Sequence, residues 1–114
     1  MGADGLVREV MTLGGMMFEV SWRPGKASVL LARRGIALPQ AVRVLDDPGC
    51  AIEAASAPYD GQYRLTGYTP SSRLLTVAAT IAYPDEFEDE GDVGMIRVHS
   101  AWDASDLERR FRHP

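Results

Sequence analysis

The longest apolar stretch in the chain, Arg73–Tyr83, sits between the turn residues Thr69-Pro70-Ser71-Ser72 and Pro84. It is too short for the ~18 residues of a membrane span. Apolarity that persists for a strand's length, with no alternation, marks a strand covered on both faces, so a central β-strand is predicted here. Everything else in the chain has to be arranged around that strand.

Its neighbours alternate. In Gln62–Tyr68, Tyr63, Leu65 and Gly67 fall on one face and Gln62, Arg64 and Thr66 on the other. In Met95–Ala101, Ile96 and Val98 oppose Arg97 and His99. Ala51–Ala55 is a weaker strand, and Met16–Val20 a first one. Pro24 at a helix start and Gly35 just past a helix end bracket a short helix over 24–34, with Ala27, Leu30 and Leu31 spaced to face the core. A second short helix has Pro39 near its first turn and Ala41, Val42 and Leu45 as its buried stripe; Asp46-Asp47-Pro48-Gly49 stops it. The capping-box pattern Ser105-x-x-Glu108 opens a basic terminal helix through Arg112. The expected fold is therefore α+β: two short N-terminal helices, an antiparallel β-meander of four to five strands, and a C-terminal helix. Residues 1–15, with four glycines, are expected to form a flexible extension, with room for a brief strand or helix around Leu6–Leu13, to a single domain over 16–114, in which 84–92 is an acidic loop.

At 114 residues the chain has room for one core, burying roughly two thirds of its unfolded surface. The lone Cys50 allows no internal disulfide, and Met1–Gly15 lacks the basic-then-apolar order of a secretory leader, so the reducing cytoplasm is the expected setting. The formal charge is −4, but six acids (Asp85, Glu86, Glu88, Asp89, Glu90, Asp92) crowd one short run; setting them aside leaves +2. Weak acidity overall thus coexists with a basic remainder able to hold a local anion site. Those six acids could themselves meet a basic partner, the bland alternative being a solvated linker. Arginine dominates the bases, with Lys26 the one lysine; a planar fork suits phosphate, although codon usage in a GC-rich genome gives the same bias.

Several chemistries lack their residues. The chain has no G-x-x-x-x-G-K phosphate loop, no dinucleotide fingerprint and no G-x-S-x-G elbow. One cysteine and two histidines cannot build a structural zinc cluster, and no cofactor is expected. What remains is a set of arginines with a histidine. Arg64, Arg97 and His99 occupy the alternate, outward positions of their strands, Arg73 begins the central strand, and Arg109 and Arg110 lie on the terminal helix. Arginine forks can hold a phosphate and His99 can move a proton near neutral pH, a pairing suited to metal-free attack of a ribose 2′-hydroxyl on its neighbouring phosphate. The plain alternative is a solvated polar face.

Two ordered sets of residues resemble a known family. The first is Phe18-Glu19, Trp22-x-Pro24-x-Lys26, Arg33-x-Gly35-Ile36 and Ala41-x-x-Val44-Leu45-Asp46-Asp47-Pro48. The second is Arg64-Leu65-x-Gly67-Tyr68-Thr69, Arg73-Leu74-Leu75-x-Val77, Ile96-Arg97-x-x-Ser100-Ala101 and Ala104-Ser105-x-x-Glu108-Arg109-x-Phe111. Together they resemble the BrnT toxins of type II toxin–antitoxin systems. The resemblance implies a RelE-like ribonuclease fold and a metal-independent endoribonuclease that arrests translation. It also implies a BrnA-like antitoxin as partner, through which operator DNA is reached indirectly. Arg64, Arg73 and Arg97 match family arginines, Glu108 and Arg109 the terminal-helix pair, and Lys26 a family lysine. The helix end reads Arg33-Arg34-Gly35 where the family has Lys-His-Gly, the start reads Trp22-Arg23 where Trp-Asp is common, Leu30 replaces an asparagine, and Trp102 stands where an arginine usually follows Ser-Ala.

The expected catalytic set is accordingly Arg64, Arg73, Arg97 and His99, the last replacing the missing family histidine. Lys26, Arg34, Trp102, Glu108 and Arg109 are the expected RNA-binding set. Trp102 has two readings, stacking on a base or packing where strand meets helix. The departures leave a second function open, a binding module that keeps its protein partner and has lost turnover.

Overall fold

The longest apolar run lies where its composition requires, inside a six-stranded sheet. The computed structural model describes residues 5–13, 15–54, 62–83 and 93–105. In chain order these form strands β1 (Val7–Leu13) and β2 (Met16–Trp22), helix α1 (Pro24–Arg34), and a single helical turn α2 (Leu38–Ala41) that tightens into a 3-10 turn over Val42–Asp46. Strands β3 (Ala51–Ala54), β4 (Gln62–Tyr68), β5 (Leu74–Ala82) and β6 (Gly94–Asp103) follow. The spatial order is β1-β2-β6-β5-β4-β3. Every neighbouring pair is antiparallel except β2 and β6, which run parallel.

This corrects the expected fold class. The chain does run from two short helices into an antiparallel meander, β3-β4-β5-β6, but not from its first element. It begins with a β-hairpin whose second strand joins the last strand in parallel, giving a mixed sheet with two short helices inserted after β2. The RelE-like arrangement implied by the family resemblance does not describe it. The glycines near the N-terminus suggested a loose segment, yet Val7–Leu13 pairs residue for residue with β2, and Gly15, at φ 81°, supplies a left-handed turn residue that only glycine adopts freely. The acidic run over 84–92 and the terminal helix with Glu108 and Arg109 lie outside the described residues.

Register assigns each side chain to one of two faces. Phe18, Val20 and Trp22 share one face with Ile96 and Val98, with Val77, Ala79 and Ile81, and with Leu65. All of them are buried. Leu30 of α1, Leu38 and Ala41 of α2, and Val42, Val44 and Leu45 of the 3-10 turn close over this face to form the core. Each fully buried large side chain stabilises the fold by about 1.5–3 kcal/mol. Phe18 needs a hole opposite it, and Gly94 supplies one: a Cβ there would lie 2.5 Å from Phe18 Cε1. Of the three α1 residues expected inside, Leu30 is buried and Ala27 half-buried, whereas Leu31 is 58% exposed.

Helix α1 ends as its sequence predicts. Gly35 takes the left-handed conformation at φ 63°, its N–H donates to Leu31 O at 3.1 Å, and the Ile36 N–H donates to Leu30 O at 3.3 Å. Asp47 ties the helical layer to β4, its carboxylate accepting the Gly49 N–H at 2.9 Å and the Tyr68 N–H at 2.8 Å.

The second face of the sheet is polar. Arg8, Ser21, Arg97, Thr80 and Gln62 align across five strands, and Thr66 pairs with Thr76 in a buried 2.9 Å hydrogen bond.

Candidate functional site

The parallel β2–β6 pair stops at Ser21 and Arg97, because the chain turns out of the sheet at Arg23 to begin α1. Strand β6 continues alone on that side to Asp103. A cleft opens where the strands part, as crevices do where neighbouring strands diverge at their carboxyl ends. It has a volume of about 400 Å³ and is lined by Arg23, Lys26, Arg97, Val98 and His99.

Each lining residue has a local reason for its place. Alternation puts Arg97 on the polar face. Alternation carries His99 to the same face, and a register shift there, with Ala78 pairing Ser100 and Ala79 pairing Val98, leaves His99 as the extra residue of a β-bulge. His99 Nε2 lies 2.6 Å from Thr80 Oγ1 on the neighbouring strand. Arg23 is the N-cap of α1 and makes no side-chain cap bond; Pro24 follows at the first helical position, and the first turn contains no acid. Gly25 leaves the approach open, with nothing within 4 Å of where a Cβ would sit.

Two bases at the positive end of a helix dipole oppose it, at about 0.3–1 kcal/mol each when exposed. No described carboxylate forms an ion pair with Arg23, Lys26 or Arg97. Among the described residues Arg97 Nε is buried without a hydrogen-bond partner, as are the Oγ of Ser21, its register neighbour on β2, and the Nε of Arg64 on β4. His99 is held below the ordinary imidazole pKa, first by burial and then by the positive charges of Arg97, Lys26 and Arg23. At neutral pH the cleft therefore holds three cations around an uncharged imidazole. Such a site attracts a phosphate and offers it a proton acceptor.

The expected residues divide between this cleft and other places. Lys26, Arg97 and His99 come together in it. Arg73 lies elsewhere, its guanidinium donating to Asp103 at 2.8 and 2.9 Å and to the carbonyls of Gly35 and Arg34 at 2.8 and 3.3 Å. It thus ties the open C-terminal carbonyls of α1 to the end of β6. Arg34 donates from Nη1 to Ala101 O at 2.8 Å, covering the β6 edge that β2 leaves free. Arg64 is on the polar face but two strands from Arg97, bonded to Glu53 at 2.9 Å. Trp102 is half-buried opposite Thr76, on the polar face and outside the core. Arg23 was not among the expected residues; its signal was the basic residue standing where an acidic helix cap is common.

No protein-family model matches this sequence, and no curated protein matches it.

Proposed function

We propose that the chain is the toxin of a type II toxin–antitoxin pair of the BrnT kind, a metal-independent endoribonuclease that arrests translation in the cytoplasm and is held in check by a BrnA-like antitoxin. The observation that carries this reading is the neutral His99 imidazole beside Arg97, Arg23 and Lys26 in one cleft. Four features that RNA cleavage needs meet there: attraction for the phosphate, a general base, charge stabilisation and access from solvent.

The chemistry follows from the groups present. His99 takes the proton of a ribose 2′-hydroxyl, and the 2′-oxygen bonds to the adjacent phosphorus. The bond from phosphorus to the 5′-oxygen breaks, and that oxygen leaves with a proton from solvent at the cleft mouth. The products are a 2′,3′-cyclic phosphate and a free 5′-hydroxyl. Arg97 and Arg23 offset the charge gathering on the phosphoryl oxygens, where one well-aimed donor contributes about 10²–10³ in rate. The test is cleavage of cellular RNA by the purified chain with a chelator present. Wild type should release 5′-hydroxyl ends and His99→Ala should not; equal cleavage by both would remove His99 from the mechanism.

The second reading, a binding module without turnover, is favoured by the pairing of Arg64 and Arg73 with Glu53 and Asp103. Half of the expected catalytic set is thereby committed to other contacts. That reading expects tight antitoxin binding with no RNA cleavage and no growth arrest.

A further inference from the structure

A second hollow of about 490 Å³ adjoins the cleft, lined by Gly5, Leu6, Arg23, Pro24 and Arg97. Arg23 and Arg97 line both hollows, so they form the partition between two compartments of similar size. Each volume falls in the lower part of the roughly 300–1,000 Å³ range of small-molecule sites, enough for one nucleoside each.

The two compartments differ chemically. The first carries His99 and Lys26; the second carries Leu6 and Pro24 and has no proton acceptor among its described side chains. Arg97 Nε is buried with no hydrogen-bond partner among the described residues, as is Ser21 Oγ on the neighbouring strand, which lines neither hollow. Arg23 and Arg97 present positive charge to both hollows, so an anion at the partition is attracted from either side.

We infer that the two hollows are subsites for the two nucleosides of a single RNA linkage, with the phosphate between them on Arg23 and Arg97. The nucleoside bearing the attacking 2′-hydroxyl sits in the His99 hollow, and the nucleoside that departs on its 5′-oxygen sits against Leu6 and Pro24. This polarity rests on the ribonuclease reading, since the attacking ribose must lie beside the base that takes its proton. The recognition unit is then a dinucleotide read across a phosphate. A mononucleotide fills half of it.

The test is an amide-resolved NMR titration of the full chain with four probes. These are a 2′-O-methyl dinucleoside monophosphate, which cannot be cleaved, a nucleoside 3′-monophosphate, a nucleoside 5′-monophosphate and inorganic phosphate. The 3′-monophosphate should shift Val98 and His99, the 5′-monophosphate Gly5 and Leu6, and the dinucleotide all four, binding at least about tenfold tighter than either half because the second contact is intramolecular. Pro24→Glu keeps the fold, since an acid in the first turn of a helix is favourable. It should weaken the dinucleotide and the 5′-monophosphate about tenfold, with a smaller effect on the 3′-monophosphate. Shifts no different from those of inorganic phosphate, or mononucleotides exchanged between hollows, would overturn the inference. RNA cleavage with the dinucleotide binding no tighter than its halves would overturn the paired subsites and leave the ribonuclease standing. Tight binding across both hollows with no RNA cleavage would do the reverse for the enzyme, leaving the subsites as those of a binding module.

Discussion

Arg97 and Arg73 both stand on the central strands or at their ends, and the fold uses them in opposite ways. Arg73 has carboxylate oxygens on one side and helix-end carbonyls on the other, and Asp103 in turn is held below the usual carboxylate range by its hydrogen bonds from Arg73. Arg97 lies between two hollows, shares its surroundings with two further cations, and has a buried Nε with no acceptor among the described residues. One arginine is committed to the fold, and the other has no ion pair among the described residues. The residue type cannot make that distinction; the supply of acceptors around each position does.

The contrast breaks most sharply under truncation. Arg97→Ala should lower RNA cleavage by about 10²–10³ with the urea midpoint unchanged or raised, since it removes charge stabilisation together with a crowded cation that has no ion pair among the described residues. Arg73→Ala should do the converse, leaving cleavage per folded molecule intact while costing about 1 kcal/mol in a denaturant titration, the scale of an exposed ion pair with an added cap. If Arg73→Ala abolished cleavage in folded protein, the division would fail.

A packing test sharpens the structural side. Gly94→Ala pushes a methyl group into the Phe18 ring where β2 meets β6, so it should cost about 1–3 kcal/mol in thermal or urea unfolding. It should also loosen the cleft, which the same two strands flank.

Acid probes the other side. Burial and then Arg97, Lys26 and Arg23 depress the His99 pKa, while Thr80 faces it from β5. The folded chain thus binds this proton less readily than the unfolded chain, whose imidazole titrates near ~6.5. His99 leaves stability unchanged above that value and lowers it as pH falls from there through the folded pKa. The acid limb of the cleavage rate should lie below ~6.5. Lys26→Ala should raise it, as loss of a neighbouring positive charge eases protonation, and a limb that stays put in a pH–rate series would show Lys26 remote from the imidazole. The smallest effect belongs to Arg64→Ala, which should leave cleavage unaltered and cost under ~1 kcal/mol, the worth of its exposed pair with Glu53.

Sequence reasoning reached what short-range pattern controls. The central strand, the alternating faces of β4 and β6, and helix α1 between Pro24 and Gly35 all follow from spacings of two, three or four residues. It missed what depends on distant parts of the chain. The β2–β6 pairing joins residues more than seventy apart, and with it goes the juxtaposition of Arg23 with Arg97. The carboxylates that occupy Arg64 and Arg73 come from β3 and the end of β6, so their commitment shows only after folding. Leu31 has helical spacing suited to a core position, yet α1 presents it to solvent because the strand layer beneath accommodates Leu30.

The parallel seam between β2 and β6 also sets an order of events during synthesis. Arg23 and Lys26 leave the ribosome about seventy residues before Arg97 and His99, and loop-closure entropy delays a contact of such long range until the intervening strands have formed. The hairpin and helix on one side, and the β4–β5 meander on the other, can form first as separate pieces. Docking β6 between them completes the sheet and the cleft in one step, so a nascent chain that stops before β6 has half the binding residues and no base. The cleft is thus assembled all at once, when β6 docks, rather than built up strand by strand.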